Sequence, residues 1–434
     1  MLARLQSLRG RLPPALFQAG LYALGILIAK GVSFVMLPIV TRWLTPSDYG
    51  ALELLSAFSD AAGVVIGFGL VEALFRFAGA ASPGPARNRP ASGILGQAVM
   101  LAIAALLVGQ VGVTVARPWL SPVIPETALR LVIVSLAFTS CLHVPLAWLR
   151  LVDRARTYFF LSAGKAVLQA LLVVLFLSRG WGVVGVVGAG ALLDVCLATV
   201  LVTIQWRDTG IRFGIDRKLL AYGGPLILSG LAGCVLGSFD RLLLGPWVSA
   251  AEIGLYGLGA KLAYLVYLVM QPFDLWWYPR RFAVLAQADG KQASVRAIKI
   301  GFFIAAGSAV AVSLAAPVVL HFLTPAPYHA AAAYVPWLTL AAVLSITGNL
   351  VNAGCYARRT GMQPFLVNGT AALVTLAGYL TLIPHLGTWG AVFATLAGLL
   401  VRLVLFFVLS QRAIDLPLPF WRGGSATAPL SVPA

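Results

Sequence analysis

The segment Trp43-Leu44-Thr45-Pro46-Ser47-Asp48-Tyr49-Gly50 returns 204 residues later as Trp247-Val248-Ser249-Ala250-Ala251-Glu252-Ile253-Gly254. Each copy joins two long apolar runs. The same offset lays Arg76 on Arg280, and an offset of 203 lays Leu120-Ser121-Pro122 on Leu323-Thr324-Pro325. The agreement is weak at each position but recurs in register, which reads as two halves descended from one unit. The competing reading is that any two apolar hairpins look alike by composition.

Composition sets the solvent of those runs. Of 434 residues, 60% are hydrophobic and only 10% are charged, with a mean hydropathy of +0.92. A soluble chain carries about a quarter charged residues, so the bilayer is the expected solvent. The charges collect at the ends of apolar runs of about 20 residues, the length that crosses a hydrocarbon core. Spans are expected near 16–40, 49–75, 92–116, 126–149, 158–178 and 183–206, then 221–245, 253–278, 295–322, 331–356, 364–384 and 388–410. No soluble domain is left over. The first run is too long for a cleaved leader and lacks a small-residue cleavage site, so it is read as a retained span. Cys141, Cys196, Cys234 and Cys355 all fall inside apolar runs with no paired spacing, and read as small core residues.

The net charge of +17 raises the question of nucleic acid, but the basic residues lie in short connectors rather than on one helix face. Of 31 Lys and Arg residues, 22 fall in connectors on the N-terminal side of the membrane. Five, Arg42, Arg117, Arg130, Arg179 and Arg241, fall on the other. The positive-inside rule then puts both termini in the cytoplasm, which requires an even number of spans. With six spans per half, both halves start on the same side, and the repeat is parallel about an axis along the membrane normal. Two like bundles facing each other enclose a central cleft, as in alternating-access carriers. The expected fold is therefore an all-α membrane protein of about 12 transmembrane helices in two parallel six-helix bundles, residues 1–215 and 216–434.

The run from Gly31 to Gly79, with Pro38, Thr41-Arg42-Trp43-Leu44-Thr45-Pro46-Ser47-Asp48-Tyr49-Gly50, Gly69-Leu70 and Arg76, resembles the opening of bacterial polysaccharide and O-antigen (Wzx-like) flippases. These belong to the multidrug/oligosaccharidyl-lipid/polysaccharide (MOP) exporter superfamily. The second half is similar in Gly224-Pro225-Leu226, Phe239-Asp240-Arg241-Leu242-Leu243-Leu244-Gly245, Glu252-Ile253-Gly254-Leu255-Tyr256 and Pro279. The resemblance implies movement of a polyprenyl-pyrophosphate-linked oligosaccharide across the bacterial inner membrane for O-antigen, capsule or exopolysaccharide synthesis. It implies a MATE-like fold, no catalysis, no cofactor and no metal, and neighbours in the pathway such as a polymerase and glycosyltransferases. It also implies that spans one, two, seven and eight line the cleft. The lipid II flippases of the superfamily usually carry two further C-terminal spans, which sets that branch apart from the twelve read here.

Polar groups inside spans are costly and mark cavities or partners. Lys30, Lys165, Lys261 and Arg402 are the four basic residues so placed. Lys30 and Asp60 fall at similar depth, and span two shows Glu53, Ser56, Asp60, Gly63 and Gly67 on one face. That face is expected to look into the cleft, with Lys30 and Asp60 exchanging partners with a pyrophosphate or a coupling ion. The alternative is a static pair fixing helix register. Span seven aligns Pro225, Ser229, Gly233, Gly237 and Asp240, with Arg241 beside Asp240 near the outer mouth, either a gate or a substrate contact. Pro38 and Pro225 are candidate hinges. Span eight aligns Tyr256, Ala260, Tyr264, Tyr267, Gln271 and Asp274 beside Lys261, a stripe suited to stacking on sugars and bonding their hydroxyls, or to a membrane interface. Lys261 is the first choice for pyrophosphate contact. Span ten adds Ser345, Asn349, Asn352 and Tyr356, explained equally by helix-to-helix hydrogen bonds. Lys165 and Arg402 are expected to snorkel. Asp194, with Asp60, is a candidate coupling-ion site, or else pairs with a partner the sequence does not identify.

Two other functions compete. A drug and cation exporter of the same superfamily more often has an acidic, aromatic cleft, against the lysines here. A membrane glycosyltransferase or polymerase needs catalytic side chains on a sizeable external loop, and every external connector is short. Protons, sodium ions and the substrate gradient are all open as driving forces.

Overall fold

In the computed structural model, which describes residues 14–67, 69–116, 124–214, 224, 227, 230–357 and 362–417, both copies of the repeated segment are helix starts. The Thr45 N–H donates to Asp48 Oδ2 at 3.1 Å and the Asp48 N–H donates back to Thr45 Oγ1 at 3.2 Å. This reciprocal cap satisfies two amides that a helix start otherwise leaves unbonded. Pro46 takes the first helical position, where no N–H is needed. At the second copy the Glu252 N–H donates to Ser249 Oγ at 3.3 Å. The repeat is thus a repeated N-cap.

The helices are α1 (Pro14–Trp43), α2 (Pro46–Gly67), α3 (Pro85–Ala116), α4 (Glu126–Leu151), α5 (Ala155–Ser178) and α6 (Gly182–Thr209). They continue with α7 (Asp240–Leu244), α8 in two segments (Ala250–Ala263 and Leu265–Trp277), α9 (Gly290–Leu323), α10 (Val335–Val351), α11 (Met362–Leu386) and α12 (Thr388–Ala413). No strand occurs among the described residues. Among them, nine helices are long and apolar enough to span a bilayer, and a bent pair, Ala326–Ala333 with Val335–Val351, makes a tenth. The 30 residues of α1 cover the first expected span, while residues 221–223, 225–226 and 228–229 of the seventh, Pro225 among them, lie outside the described residues.

Several boundaries differ from expectation in one direction. Helix α3 begins at Pro85 and α9 at Gly290, ahead of the expected 92 and 295. Their first two turns carry Arg87, Arg89 and Lys291, a composition suited to the polar layer, where hydropathy no longer reports a helix. The tenth span is corrected in form: it enters through a 3₁₀ segment, Ala326–Ala333, bent 45° from α10.

The chain divides into two compact units, Met1–Leu231 and Ala232–Ala434. The boundary expected at 215/216 falls outside the described residues. Within the first unit α1 packs on α5, α2 on α4, α3 on α4, α4 on α6 and α5 on α6. Within the second, α7 packs on α11, α8 on α10, α9 on α10, α10 on α12 and α11 on α12, the same scheme six helices later. Small residues allow the closest crossings: a Cβ on Gly398 of α12 would overlap the Thr375 hydroxyl of α11.

The first unit has one buried cluster around Leu70, Leu74, Ile94, Val144 and Leu149 and another around Ala51, Leu55, Ala128 and Leu136. The second centres on Val266, Met270, Ile346, Leu350 and Phe406. The outer faces are equally apolar. On α9, Leu314 is 74% and Phe322 75% exposed, a stripe that is stable only against lipid. Of the cysteines, Cys141 and Cys355 are buried as expected, whereas Cys196 is exposed; on a membrane helix an exposed thiol faces lipid as readily as an alanine.

Candidate functional site

In the first unit the chain breaks after α2. Gly69 sits at φ +62°, a left-handed conformation that glycine tolerates without strain. A short helix, Leu70–Ala73, then widens into a π-helical turn, Leu74–Ala78, a distortion frequent at functional sites. Helix α4 is held to this break by Ser140, whose hydroxyl donates to the Ile66 carbonyl at 3.0 Å. The break opens a cavity of about 700 Å³ between α2, α4 and the start of α5. Gly63 and Gly67 of the span-two stripe contribute its bare wall, and Glu72, His143, Arg150 and Tyr158 bring polar groups to it.

Arg150 lies 5.4 Å from the Phe75 ring centre and 5.9 Å from that of Tyr158. Glu72, His143 and Arg150 are exposed although they belong to membrane-spanning segments, because they border this cavity. The sequence reading missed all three, counting Arg150 only as a topology signal. A usable signal existed: His143 and Arg150 are seven residues apart, on one helix face.

The expected residues of the first unit take different places. Lys30 is half-buried on α1 and Asp60 exposed on α2, while Glu53 is only 4% exposed and lies inside the bundle rather than on the open part of its stripe. Pro38 lies within α1, where the Thr41 hydroxyl bonds the Leu37 carbonyl at 3.0 Å. Asp194 is buried, and its partners are Lys165 of α5, in an ion pair, and the Ser135 hydroxyl of α4. Snorkelling of Lys165 is therefore corrected: a carboxylate within the bundle holds the ammonium more cheaply than a stretched route to water.

In the second unit, Asp240 is buried and receives the Tyr256 hydroxyl, while Arg241 Nη1 lies 3.4 Å from its other oxygen. Nearby, Tyr379 shares a hydrogen bond of 2.8 Å with Thr395. On α8, Lys261, Tyr264, Gln271 and Asp274 are exposed and Tyr267 is half-buried, its ring centre 5.8 Å from that of Tyr264. Tyr256 is buried, so the expected stripe divides between the core and an exposed face.

Arg402 also departs from the snorkelling expectation. Its Nε donates to Asn368 Oδ1 at 2.8 Å, Nη2 to Asn349 Oδ1 at 2.7 Å and Nη1 to the Ser345 carbonyl at 3.3 Å. Arg281, read from sequence as a connector residue, is 5% exposed, donates to Asn352 Oδ1 at 2.9 Å and lies 4.0 Å from the Tyr278 ring centre. The polar face of span ten is thus an acceptor surface for two arginines. Among the described residues, no three His, Cys, Asp or Glu side chains group as metal ligands.

The family model described as "Polysaccharide biosynthesis protein" matches residues 16–284. No curated protein matches the chain in sequence. Among solved structures, an inward-facing multidrug resistance MATE family transporter of the MOP superfamily aligns at 17% identity and TM-score 0.65, covering 89% of this chain and 93% of that one. The lipid II flippase MurJ, in an inward closed conformation, aligns at 12% identity and TM-score 0.66, covering 91% of each. A MOP superfamily transporter from Pyrococcus furiosus, described as having a binding pocket of reverse polarity, aligns at 18% identity and TM-score 0.53, covering 92% and 96%. The fold is that of the MOP superfamily.

Proposed function

Because the chain belongs to the polysaccharide biosynthesis protein family, we propose that it is a flippase for polyprenyl-pyrophosphate-linked oligosaccharides, working by alternating access in the bacterial inner membrane with both termini cytoplasmic. The observation that carries this reading is the placement of cations on exposed or cavity-lining positions of membrane helices. Arg150 borders the cavity of the first unit, and Lys261 stands on the exposed face of α8. Cations at exposed or cavity-lining positions of membrane helices suit an anionic head group.

In this reading Lys30, Lys261 and Arg241 replace water around the pyrophosphate at successive points of its passage. Tyr264 and Tyr267 stack on sugar rings, and Gln271, Asp274 and Asn349 meet sugar hydroxyls. Glu53, Asp240 and Asn352, being buried, act through the packing of their own units. Asp60 and Asp194 remain the candidates for coupling to H+ or Na+, and Pro38 and Pro225 for hinges. Glycosyltransferases would act before the step and a polymerase after it. A drug exporter of the MATE type is the alternative, and the exposed Lys261 weighs against it, since a cationic drug would be repelled there.

The test is export. Lys261→Ala is expected to abolish surface polymer while the protein stays in the membrane at normal abundance. Unimpaired export by that variant would remove Lys261 from the mechanism, and efflux of cationic dyes by the wild type would favour the exporter.

A further inference from the structure

We infer that the cavity of the first unit holds the pyrophosphate diester on Arg150 and takes up a proton, on His143 or Glu72, as it does so; the inference rests on the flippase reading above. Three ionisable groups meet there, Glu72 after α2 and His143 and Arg150 on one face of α4. Among the described residues none of the three side chains makes a hydrogen bond or ion pair, and the Arg150 guanidinium lies over the faces of Phe75 and Tyr158. Ionisable side chains gathered on one cavity without partners of their own leave their hydrogen-bonding capacity to a ligand.

The charge count requires the proton. Before a ligand binds, the guanidinium of Arg150 and the carboxylate of Glu72 cancel in charge, and His143 in its neutral form adds nothing. The other charges near His143 are Lys165 on α5 and Asp194 on α6, and these neutralise each other in their own ion pair. The Ser140 hydroxyl is committed to the Ile66 carbonyl. A pyrophosphate esterified to a sugar at one end and a polyprenol at the other carries two permanent negative charges across the neutral range. Seated on Arg150 through the paired N–H groups that suit phosphate oxygens, it leaves the cavity with two net negative charges. A proton on the imidazole supplies a cation; a proton on Glu72 removes a competing anion for the same guanidinium. By linkage, a ligand that draws in a proton binds more tightly as pH falls.

The experiment uses the full chain in nanodiscs of zwitterionic lipid, titrated with farnesyl pyrophosphoryl glucose, whose charge does not change with pH. Binding is expected to be about tenfold tighter at pH 6 than at pH 8, the range in which an imidazole gives up its proton, and to be lost in Arg150→Ala. His143→Gln is expected to reduce the pH ratio to about threefold or less, the residue being carried by the remaining acid. Glu72→Gln is expected to tighten binding at pH 8, a gain that a misfolded variant cannot produce. UDP-glucose, the same diester on a nucleoside, is expected to bind at least about tenfold more weakly, since it lacks the lipid contribution.

Equal affinity at both pH values with dependence on Arg150 would overturn the proton uptake and leave the flippase reading standing. Binding that survives Arg150→Ala would overturn the placement in this cavity. Wild-type pH dependence in both His143→Gln and Glu72→Gln would overturn the assigned acids. UDP-glucose binding as tightly as the farnesyl compound would overturn the lipid-linked ligand in favour of a soluble nucleotide sugar. No binding of the farnesyl compound at either pH would overturn both readings together.

Discussion

Lys165 and Arg402 both stand in the middle of membrane-spanning helices, one in each unit, and the two units accommodate them in opposite ways. Lys165 is matched to the carboxylate of Asp194, so the first unit holds a neutral pair of a half-buried ammonium and a buried carboxylate. Arg402 is surrounded by neutral acceptors, Asn349, Asn368 and the Ser345 carbonyl, so its charge is solvated but not cancelled. Arg281 repeats the second solution with Asn352 and aromatic rings. The difference teaches that a cation in mid-span does not by itself announce a function. An ion pair ends its field within the bundle, whereas amide acceptors leave a standing positive potential that persists at any pH, because guanidinium does not titrate.

The comparison breaks most sharply at Asp194. Asp194→Ala strands the Lys165 ammonium and is expected to cost about 3–5 kcal/mol of stability, read as a loss of folded protein in thermal unfolding in detergent, while the Lys165→Met, Asp194→Leu double variant recovers most of it. A single variant as stable as the wild type would mean that the pair is not a structural element of the first unit. In the second unit Asn349→Ala is expected to cost less, about 1.5–3 kcal/mol, because Arg402 keeps its other two acceptors. A double-mutant cycle with Arg402→Met isolates that term; a coupling near zero would break the view that the asparagine solvates the charge. Tyr256→Phe removes one donor to Asp240 and leaves Arg241 beside it, an expected cost of about 1–2 kcal/mol by the same assay. At the exposed end of the scale, Arg154 is bonded to Asp208 at 2.8 Å but its side chain is 48% exposed. Arg154→Ala is therefore expected to cost under about 1 kcal/mol, less still at high salt, and a larger loss would show that depth is not what separates these pairs.

How much was legible follows the same physics. The repeat at 43–50 and 247–254 was readable because helix starts need particular residues at fixed spacing, and the structure turns both copies into caps. The exposed face of α8 was readable in part, since Lys261, Tyr264, Gln271 and Asp274 do share an exposed side. Tyr256 was misplaced because helical spacing groups residues by face and cannot say which face is turned inward. In a soluble helix the polar side settles that question; here both the core side and the lipid side are apolar, so the periodic signal is weak. Asn349 and Asn352 were read as a polar face without an owner, because Arg402 and Arg281 lie more than fifty residues away in sequence.

The sequence by itself determined the solvent, the lengths and expected direction of the spans and the repetition of the unit, because apolar burial, positive-inside charge and helix capping are properties of short stretches and add along the chain. Only the tertiary structure decided which polar groups meet. Lys165 with Asp194, Arg402 with two asparagines, and Glu72 with His143 and Arg150 around one cavity depend on how each helix is rotated against its neighbours and on a break at Gly69, and those are set by side-chain packing between elements that no local pattern records.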